Sequence, residues 1–216
     1  MGLFDQAMSG QQGNNALNTD FATDRLITLS KEPNNLEELK AAVDVTDPGS
    51  VAAYFVYAVT CLTADYDIGM SMMKYLFADL EPFGRGFTEG GAAGRAGWDP
   101  YFNERLRSDQ YRWLPRAYFA GSAASNGFKP PKPLTVPLHY NAPNTDTLNK
   151  QSYQQLGRLN IVYWVMSNAA GNKVNITVSK FDGSSRWYVT SGTSSSGLFY
   201  DQSSALTAEA KSKLYN

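Results

Sequence analysis

The sequence predicts an α+β fold, in which an N-terminal helical section packs on a C-terminal antiparallel sheet of about four strands. Before about residue 80, apolar residues recur at helical spacing, whereas from Leu134 onward they alternate with a period of two. The helical segments also precede the strands in the chain, which is the order typical of α+β domains. An aromatic-rich connector with three closely spaced prolines joins the two halves.

The chain has 216 residues, which fits one domain of ordinary size with tails. Residues 1–33 are mostly polar and rich in Gly, Gln and Asn, so we expect a mobile N-terminal tail. The alternative is that a Leu3/Phe4 turn in this tail docks on a partner. We expect a single α+β domain over residues 34–200, and a C-terminal tail, residues 201–216, that carries a short helix at 206–214.

Capping residues predict where the first two helices begin. Asn35 precedes a helix over 36–43 and has Glu38 three residues later, which is a capping-box pattern. Asp47 followed by Pro48 supplies an N-cap and a first helical residue for the second helix. In that second helix an apolar stripe recurs at helical spacing, and its members are Val51, Phe55, Ala58 and Leu62.

A third helix is predicted at about 65–80, ended by Pro82 and Gly84. Its stripe consists of Tyr66, Met70, Met73, Phe77 and Leu80. The glycine-rich stretch 84–97 is interpreted as a flexible surface loop, because no strand precedes it and no Lys-Ser/Thr pair follows, as a phosphate-binding loop would require. Asp99 and Pro100 then predict a short helix that reaches Arg107.

Four strand signals follow. Residues 134–140 alternate, and the interior Pro137 predicts an edge strand. Residues 158–167 are apolar on both faces, which predicts a central strand with Tyr163 and Trp164 buried on opposite faces. Residues 173–181 alternate cleanly, with Val174, Ile176 and Val178 predicted to point inward and Asn175, Thr177 and Ser179 outward. An FDGSSRW hairpin leads into a last strand at 187–190.

Composition excludes several classes of function. The net charge is −1, so a nucleic-acid partner is not expected. The longest apolar stretch, residues 51–62, is too short to span a bilayer, and the first 20 residues lack a secretion signal. With one cysteine, Cys61, an intrachain disulfide is impossible, and we expect a soluble, cytoplasmic protein. One histidine and one cysteine do not furnish a typical zinc site, so neither a metal nor a cofactor is predicted.

Three consecutive parts of the chain form a recognisable pattern. They are NERLRSDQYRWLPRAYFAG, then NGFKPPKPLTV, then a strand, a hairpin and a strand that contains Trp. With these segments, the chain from about Leu36 to Tyr200 resembles an uncharacterised domain family common in Firmicutes and other gut bacteria. The chain departs from the family pattern at residues 167–176, SNAAGNKVNI, where other members tend to carry an SSGAD-like turn. The resemblance implies the fold and brings no established activity.

Candidate catalytic residues are few. His139 lies on the more polar side of a predicted strand, and no motif supplies the nucleophile that a triad needs, so we interpret it as structural or simply exposed. Cys61 has apolar neighbours, which predict core packing and a raised pKa. Asp99 and Glu104, beside two arginines, could form an acid/base pair or an anion clamp, but a capped, solvated helix explains the same residues more simply and is the favoured interpretation.

The best candidate for a binding surface is the connector, which stretches from residue 112 to 133. Its candidate residues are Arg112, Trp113, Arg116, Tyr118, Phe119 and Asn126. Aromatic and arginine side chains are enriched at interface hot spots, and the prolines at 130, 131 and 133 stiffen the loop. The alternative is a structural strut, in which the rings are buried and the arginines pair with carboxylates.

Three functions remain open from the sequence. The favoured one is a non-enzymatic protein-binding or structural module, because a catalytic constellation is missing. The second is a small-molecule-binding α+β cup with weak catalytic activity, for which a cavity near Tyr118, Tyr140, Tyr163 or Trp164 would be the sign. The third, a nucleic-acid accessory, would need a basic face that the net charge does not predict. The partner and the oligomeric state are not predicted.

Overall fold

The computed structural model describes residues 19–77, 88–89, 97–98, 112–169 and 173–191. Over these residues the elements are β1 (Arg25–Thr28), α1 (Leu36–Ala42), α2 (Pro48–Ala64), α3 (Tyr66–Leu76), β2 (Thr88–Glu89), β3 (Gly97–Trp98), β4 (Thr135–Tyr140), α4 (Ala142–Leu156), β5 (Arg158–Met166), β6 (Lys173–Phe181) and β7 (Trp187–Ser191). Short 3₁₀ helices lie at Thr19–Phe21, Leu114–Tyr118 and Ala124–Asn126.

The main sheet has five strands in the order β1-β4-β5-β6-β7, and every neighbouring pair is antiparallel. Its inner face packs on α2, against which α3 packs in turn, and its outer face is partly covered by α4. The predicted α+β class is therefore confirmed. β2 and β3, of two residues each, form a separate parallel pair, in which β2 lies within the predicted glycine-rich loop and β3 lies at its end. The predicted helices at 99–107 and 206–214 lie outside the described residues.

The fifth strand comes from the segment that was predicted to be a mobile tail. β1 pairs with β4, from Arg25 opposite Leu138 to Thr28 opposite Thr135. The Arg25 guanidinium also donates to the Asp47 carboxylate through its two terminal nitrogens, from Nη2 at 2.8 Å, and so ties β1 to the first turn of α2. The tail prediction is therefore wrong for residues 19–33, while residues 1–18 lie outside the described part.

The caps predicted for the first two helices are confirmed. The side chain of Asn35 accepts a hydrogen bond from the Glu38 N–H at 2.9 Å, while the Glu38 carboxylate accepts from the Asn34 N–H, one residue before the cap. Asp47 caps α2 by accepting from the Gly49 N–H at 2.8 Å. Such a cap stabilises a helix by about 1 kcal/mol, because it satisfies an amide that has no intrahelical partner.

Helix α2 is buried almost all around, rather than along the single predicted stripe. Between Val51 and Val59 every residue is buried, because α2 lies between the inner face of the sheet, α3 and the connector. Helix α3 ends at Leu76, four residues before the predicted end. Phe77 lies just after the helix, in extended conformation, and forms a parallel bridge to Val189 in β7. Pairing with the sheet therefore ends the helix at this point.

The prediction that β4 is an edge strand is wrong, because β4 lies between β1 and β5. The Leu29 N–H donates to the Leu134 carbonyl at 2.9 Å, and alternation along an antiparallel pair then places the nitrogen of Pro137 on the side of β5. The β4–β5 ladder contains only His139 and Tyr140. Pro137 therefore lies beyond the end of that ladder, where a missing N–H costs nothing.

β5 is the central strand, as predicted, and the β6–β7 hairpin is also confirmed. Tyr163 is fully buried on the inner face, whereas Trp164 is only half-buried on the outer face, so half of that prediction is wrong. The inward pattern of β6 is correct. Thr177 and Ser179, predicted to point outward, are nevertheless buried, because the outer face is covered over this part of the sheet.

Candidate binding surface

The three aromatic rings of the connector are core residues. Trp113, Tyr118 and Phe119 are each 0% exposed. Tyr118 and Phe119 belong to the main core, while Trp113 stacks on Phe128 with ring centroids 4.6 Å apart. Because the three rings are not accessible to a partner, the hypothesis that they form a recognition surface is wrong. Their burial is what the strut alternative predicts.

The connector backbone fills the gap that opens between β4 and β5. The Ala120 N–H donates to the Thr135 carbonyl at 2.8 Å, while the Asn168 N–H donates to the Ala117 carbonyl at 2.9 Å. The Asn168 amide also donates to the Phe119 carbonyl at 2.8 Å. The connector therefore bridges the start of β4 to the residues that follow β5, in the region where the two strands do not pair with each other.

The polar candidates of the connector have local roles. The Asn126 carboxamide accepts from the N–H groups of Ala123 and Lys129 and donates to the Gly121 carbonyl, so it organises its own loop. Burial lowers the pKa of the Arg116 guanidinium, and the charge of Arg112 adds to the effect. Arg116 pairs with no carboxylate in the described part of the chain, whereas the strut alternative predicts such a pair.

Helix α4, which the sequence did not predict, takes the place of a strand beside the first half of β5. β4 pairs only with Tyr163 and Trp164, and the Asn141 N–H just after it donates to the Val162 carbonyl at 2.9 Å. The Val162 N–H and the backbone groups of Asn160 on that side have no strand to bind. Thr145 Oγ1 accepts from the Val162 N–H at 2.9 Å. One helical turn later, the Asn149 amide accepts from the Asn160 N–H at 2.7 Å and donates to its carbonyl at 3.0 Å.

A buried polar layer continues from α4 across the outer face. Asn160 is 0% exposed, and its Oδ1 accepts from the Ser179 hydroxyl at 2.7 Å. The Ser179 oxygen also lies 2.6 Å from Thr190 Oγ1. Buried polar groups that are all hydrogen-bonded fix one packing arrangement, so this layer positions α4 and offers no unpaired group to a ligand.

The outer face becomes accessible beyond α4. We call the group formed by His139, Trp164, Met166 and Lys173 the Trp164 surface. The His139 and Trp164 rings are stacked at a centroid distance of 4.0 Å and an interplanar angle of 15°. The Lys173 Nζ lies 4.3 Å from the Trp164 ring centroid. Met166 is one of two large hydrophobic residues that are exposed in the described part of the chain, and it lies directly opposite Lys173.

Asp24 fixes the histidine ring. Its Oδ2 is 3.0 Å from His139 Nδ1, and its Oδ1 accepts from the Tyr140 N–H at 2.8 Å. The hydrogen bond from His139, followed by that from Tyr140, lowers the pKa of Asp24. Because an ionised carboxylate only accepts, Nδ1 carries the hydrogen, and Nε2 makes no hydrogen bond to the described residues.

This arrangement does not form a catalytic triad. No hydroxyl or thiol of the described residues hydrogen-bonds to His139, so the ring has no nucleophile to activate. Cys61 lies in α2, and burial raises the pKa of its thiol to about 11, which keeps it protonated near neutral pH. Among the described residues no three His, Cys, Asp or Glu side chains are grouped as a metal site would need.

Sequence reasoning missed α4 and Asp24 for different reasons. α4 has no apolar stripe, and its only signals were Asn141 as a cap and Pro143 in the first turn. Asp24 falls in the predicted tail. The apolar and β-branched run from Leu26 to Thr28, which begins two residues after Asp24, is the signal for a strand there.

The fold and this surface define an α+β domain built on one antiparallel sheet, with a half-buried aromatic pair at its surface and no catalytic constellation in its described part. Residues 31–205 match a family described as a domain of unknown function (DUF6935), and the chain belongs to that family. The resemblance to an uncharacterised domain family is thereby confirmed. No curated protein and no solved structure matches the chain. Within the described ranges, no helix is both long and apolar enough to cross a membrane.

Proposed function

We propose that this protein is a non-enzymatic protein-binding module that contacts its partner through the Trp164 surface. The observation that carries the proposal is the exposed Met166 beside a half-buried Trp164 that is held between His139 and Lys173. Tryptophan is among the residues most enriched at binding hot spots. A ring fixed between two neighbours loses little conformational entropy when a partner covers it.

Charge indicates the chemistry of the partner. Lys173 is exposed and forms no ion pair with the described residues, so the Trp164 surface presents a positive charge at this position. The Asp24 carboxylate keeps its negative charge, but its two oxygens accept hydrogen bonds from His139 and Tyr140 on the β4 side of that surface. A partner segment that places an apolar side chain on Met166 and a carboxylate near Lys173 complements it.

The other candidate functions have less support. Tyr118 and Tyr163 are fully buried, and the Tyr163 hydroxyl donates to the Phe21 carbonyl at 2.7 Å, so they are not the convergent free groups of a ligand cup. The net charge of −1 supports a partner other than nucleic acid. We further infer a cytoplasmic setting, supported by the single cysteine, and a bacterial source, supported by the family resemblance.

The test is comparative capture with a charge reversal on the Trp164 surface. Lys173→Glu and Met166→Lys are compared with Lys129→Glu, an exposed lysine on the connector. We expect each of the first two variants to bind the partner of the wild-type chain at least about tenfold more weakly. Lys173→Glu reverses the charge at the rim of the contact, and Met166→Lys removes its apolar contact. Lys129→Glu should bind like wild type at the same melting temperature.

The partner is then identified and titrated as a purified protein. Equal affinity for the wild-type chain and Lys173→Glu would disprove the proposal, as would a loss of binding only in Lys129→Glu. The latter result would return the recognition surface to the connector.

A further inference from the structure

We infer that two copies of this chain associate by antiparallel pairing of their β1 strands, which joins the two sheets across a two-fold axis near Leu26. This inference concerns the edge of the sheet and does not depend on the Trp164 surface. It rests on the free backbone groups of β1, on the exposure of Leu26, and on the charges around that strand.

β1 is an edge strand with hydrogen-bonding groups that point away from the sheet. The bond from the Leu29 N–H to the Leu134 carbonyl fixes the alternation, so Arg25 and Ile27 direct their backbone groups to β4. Those of Leu26 and Thr28 point to the opposite side. No backbone or side-chain group in the described part of the chain binds them there. Leu26 is 68% exposed, and Thr28 is exposed as well.

The usual protections of an edge strand are missing at these two positions. Natural edges carry lysine, proline, a bulge or an inward-pointing charge, whereas Leu26 and Thr28 are uncharged and the β1–β4 register is regular. The one charged residue of β1, Arg25, points inward and is neutralised by Asp47. Among the described residues, the remaining protection is the short length of the strand, which makes the association weak.

A second copy fits this edge because an antiparallel strand pair is self-complementary about a two-fold axis. With the axis at Leu26, the N–H and carbonyl of each Leu26 bond to those of the other, and the two exposed side chains meet on the outer face. Asp24 then lies opposite Thr28, so no like charges face each other. The net charge of −1 adds little repulsion between copies.

The experiment measures molar mass in solution for the full chain over a range of concentrations. We expect a concentration-dependent dimer for the wild-type chain and a monomer for Leu26→Lys, whose dissociation constant should rise by at least about tenfold because a charge is placed on the edge. The matched control is Met166→Lys, since Met166 is also an exposed large hydrophobic residue on the outer face. It should dimerise like wild type.

Cross-linking tests the register. In a Cys61→Ala background, Leu26→Cys should form a disulfide-linked dimer on oxidation with diamide, and Thr28→Cys should do so far less, because Thr28 faces Asp24 in the proposed pair. A wild-type chain that stays monomeric at every concentration overturns the inference. So does a Leu26→Lys variant that dimerises normally, or equal cross-linking at both positions.

Loss of dimer in Leu26→Lys with intact partner capture would show that the edge and the Trp164 surface act separately. Failure of the proposed function is therefore distinguishable from failure of self-association, because each has its own substitution and its own measurement.

Discussion

The connector and the outer face of the sheet each contain a tryptophan, but the two are used in opposite ways. In the connector, Trp113 stacks on Phe128, and the backbone that follows it is hydrogen-bonded to the start of β4 and to Asn168, just after β5. On the outer face, α4 covers only the first half of β5, so Trp164 is left at the surface. Aromatic content alone therefore does not locate a binding surface. The decisive factor is whether another element covers the ring.

The largest expected effect is the loss of stability when the buried ring of Trp113 is removed. Trp113→Ala should lower the free energy of unfolding by about 3–5 kcal/mol, because a fully buried large ring leaves a cavity in a small cluster. Phe128 would lose its stacking partner while its backbone keeps a left-handed φ of 54°. Urea denaturation measures the change. If the free energy of unfolding fell by less than about 1 kcal/mol, Trp113 would not be a core residue, and the contrast between Trp113 and Trp164 would fail.

The next effect concerns α4, the helix that covers the outer face beside the first half of β5. Asn149→Ala should cost about 1–3 kcal/mol, because it leaves the buried N–H and carbonyl of Asn160 without partners. The control is Asn144→Ala, at an exposed position of the same helix, which should change stability little. Equal effects of the two substitutions in the same denaturation experiment would contradict the role assigned to α4.

Trp164→Ala should cost only about 1 kcal/mol, since its contacts are cross-strand pairs on a partly solvated face. The comparison of the two tryptophans is sharpest here, because the same substitution removes the same side chain from both sites. A loss as large as that of Trp113→Ala would show that Trp164 is a core residue, and would weaken its role as a contact surface.

The smallest effect depends on pH. The pKa of Asp24 is lowered in the folded state by its hydrogen bond from His139, so the contribution of Asp24 to stability is present above its unfolded pKa and is lost as the pH falls through the folded pKa. Asp24→Asn should therefore lower the melting temperature slightly at neutral pH and converge with wild type below about pH 4. If the difference in melting temperature between Asp24→Asn and wild type stayed constant from neutral pH to below about pH 4, the ionised Asp24 carboxylate would not be the source of the stabilisation. Asp24 is largely exposed, so the effect stays small.

Local signals in the sequence predicted the elements whose stability is local. The caps at Asn35 and Asp47 and the hairpin before Trp187 all depend on residues a few positions apart, and all three were correct. The alternation in β6 also predicted its inward face, because the core selects apolar side chains on that side.

Elements that depend on distant partners were missed. β1 is too short to show a period, and its place in the sheet depends on β4, more than one hundred residues later. α4 is held by the polar side chains of Thr145 and Asn149, which meet open backbone groups of β5 and leave no apolar stripe to detect. The exposure of Trp164 follows from where α4 lies, so it could not be predicted before α4 was known.

The ion pair between Arg25 and Asp47 has a consequence for the order of folding. It joins residues that are 22 positions apart, whereas the Thr28–Thr135 contact spans 107 positions. Closing the shorter loop costs about 1.4 kcal/mol less conformational entropy, because each doubling of loop length adds roughly 0.6 kcal/mol. During synthesis, the first strand can thus be anchored to α2 long before its sheet neighbour leaves the ribosome. Higher φ-values for substitutions at Arg25 than at Thr135 would reveal this order, and the reverse ranking would exclude it.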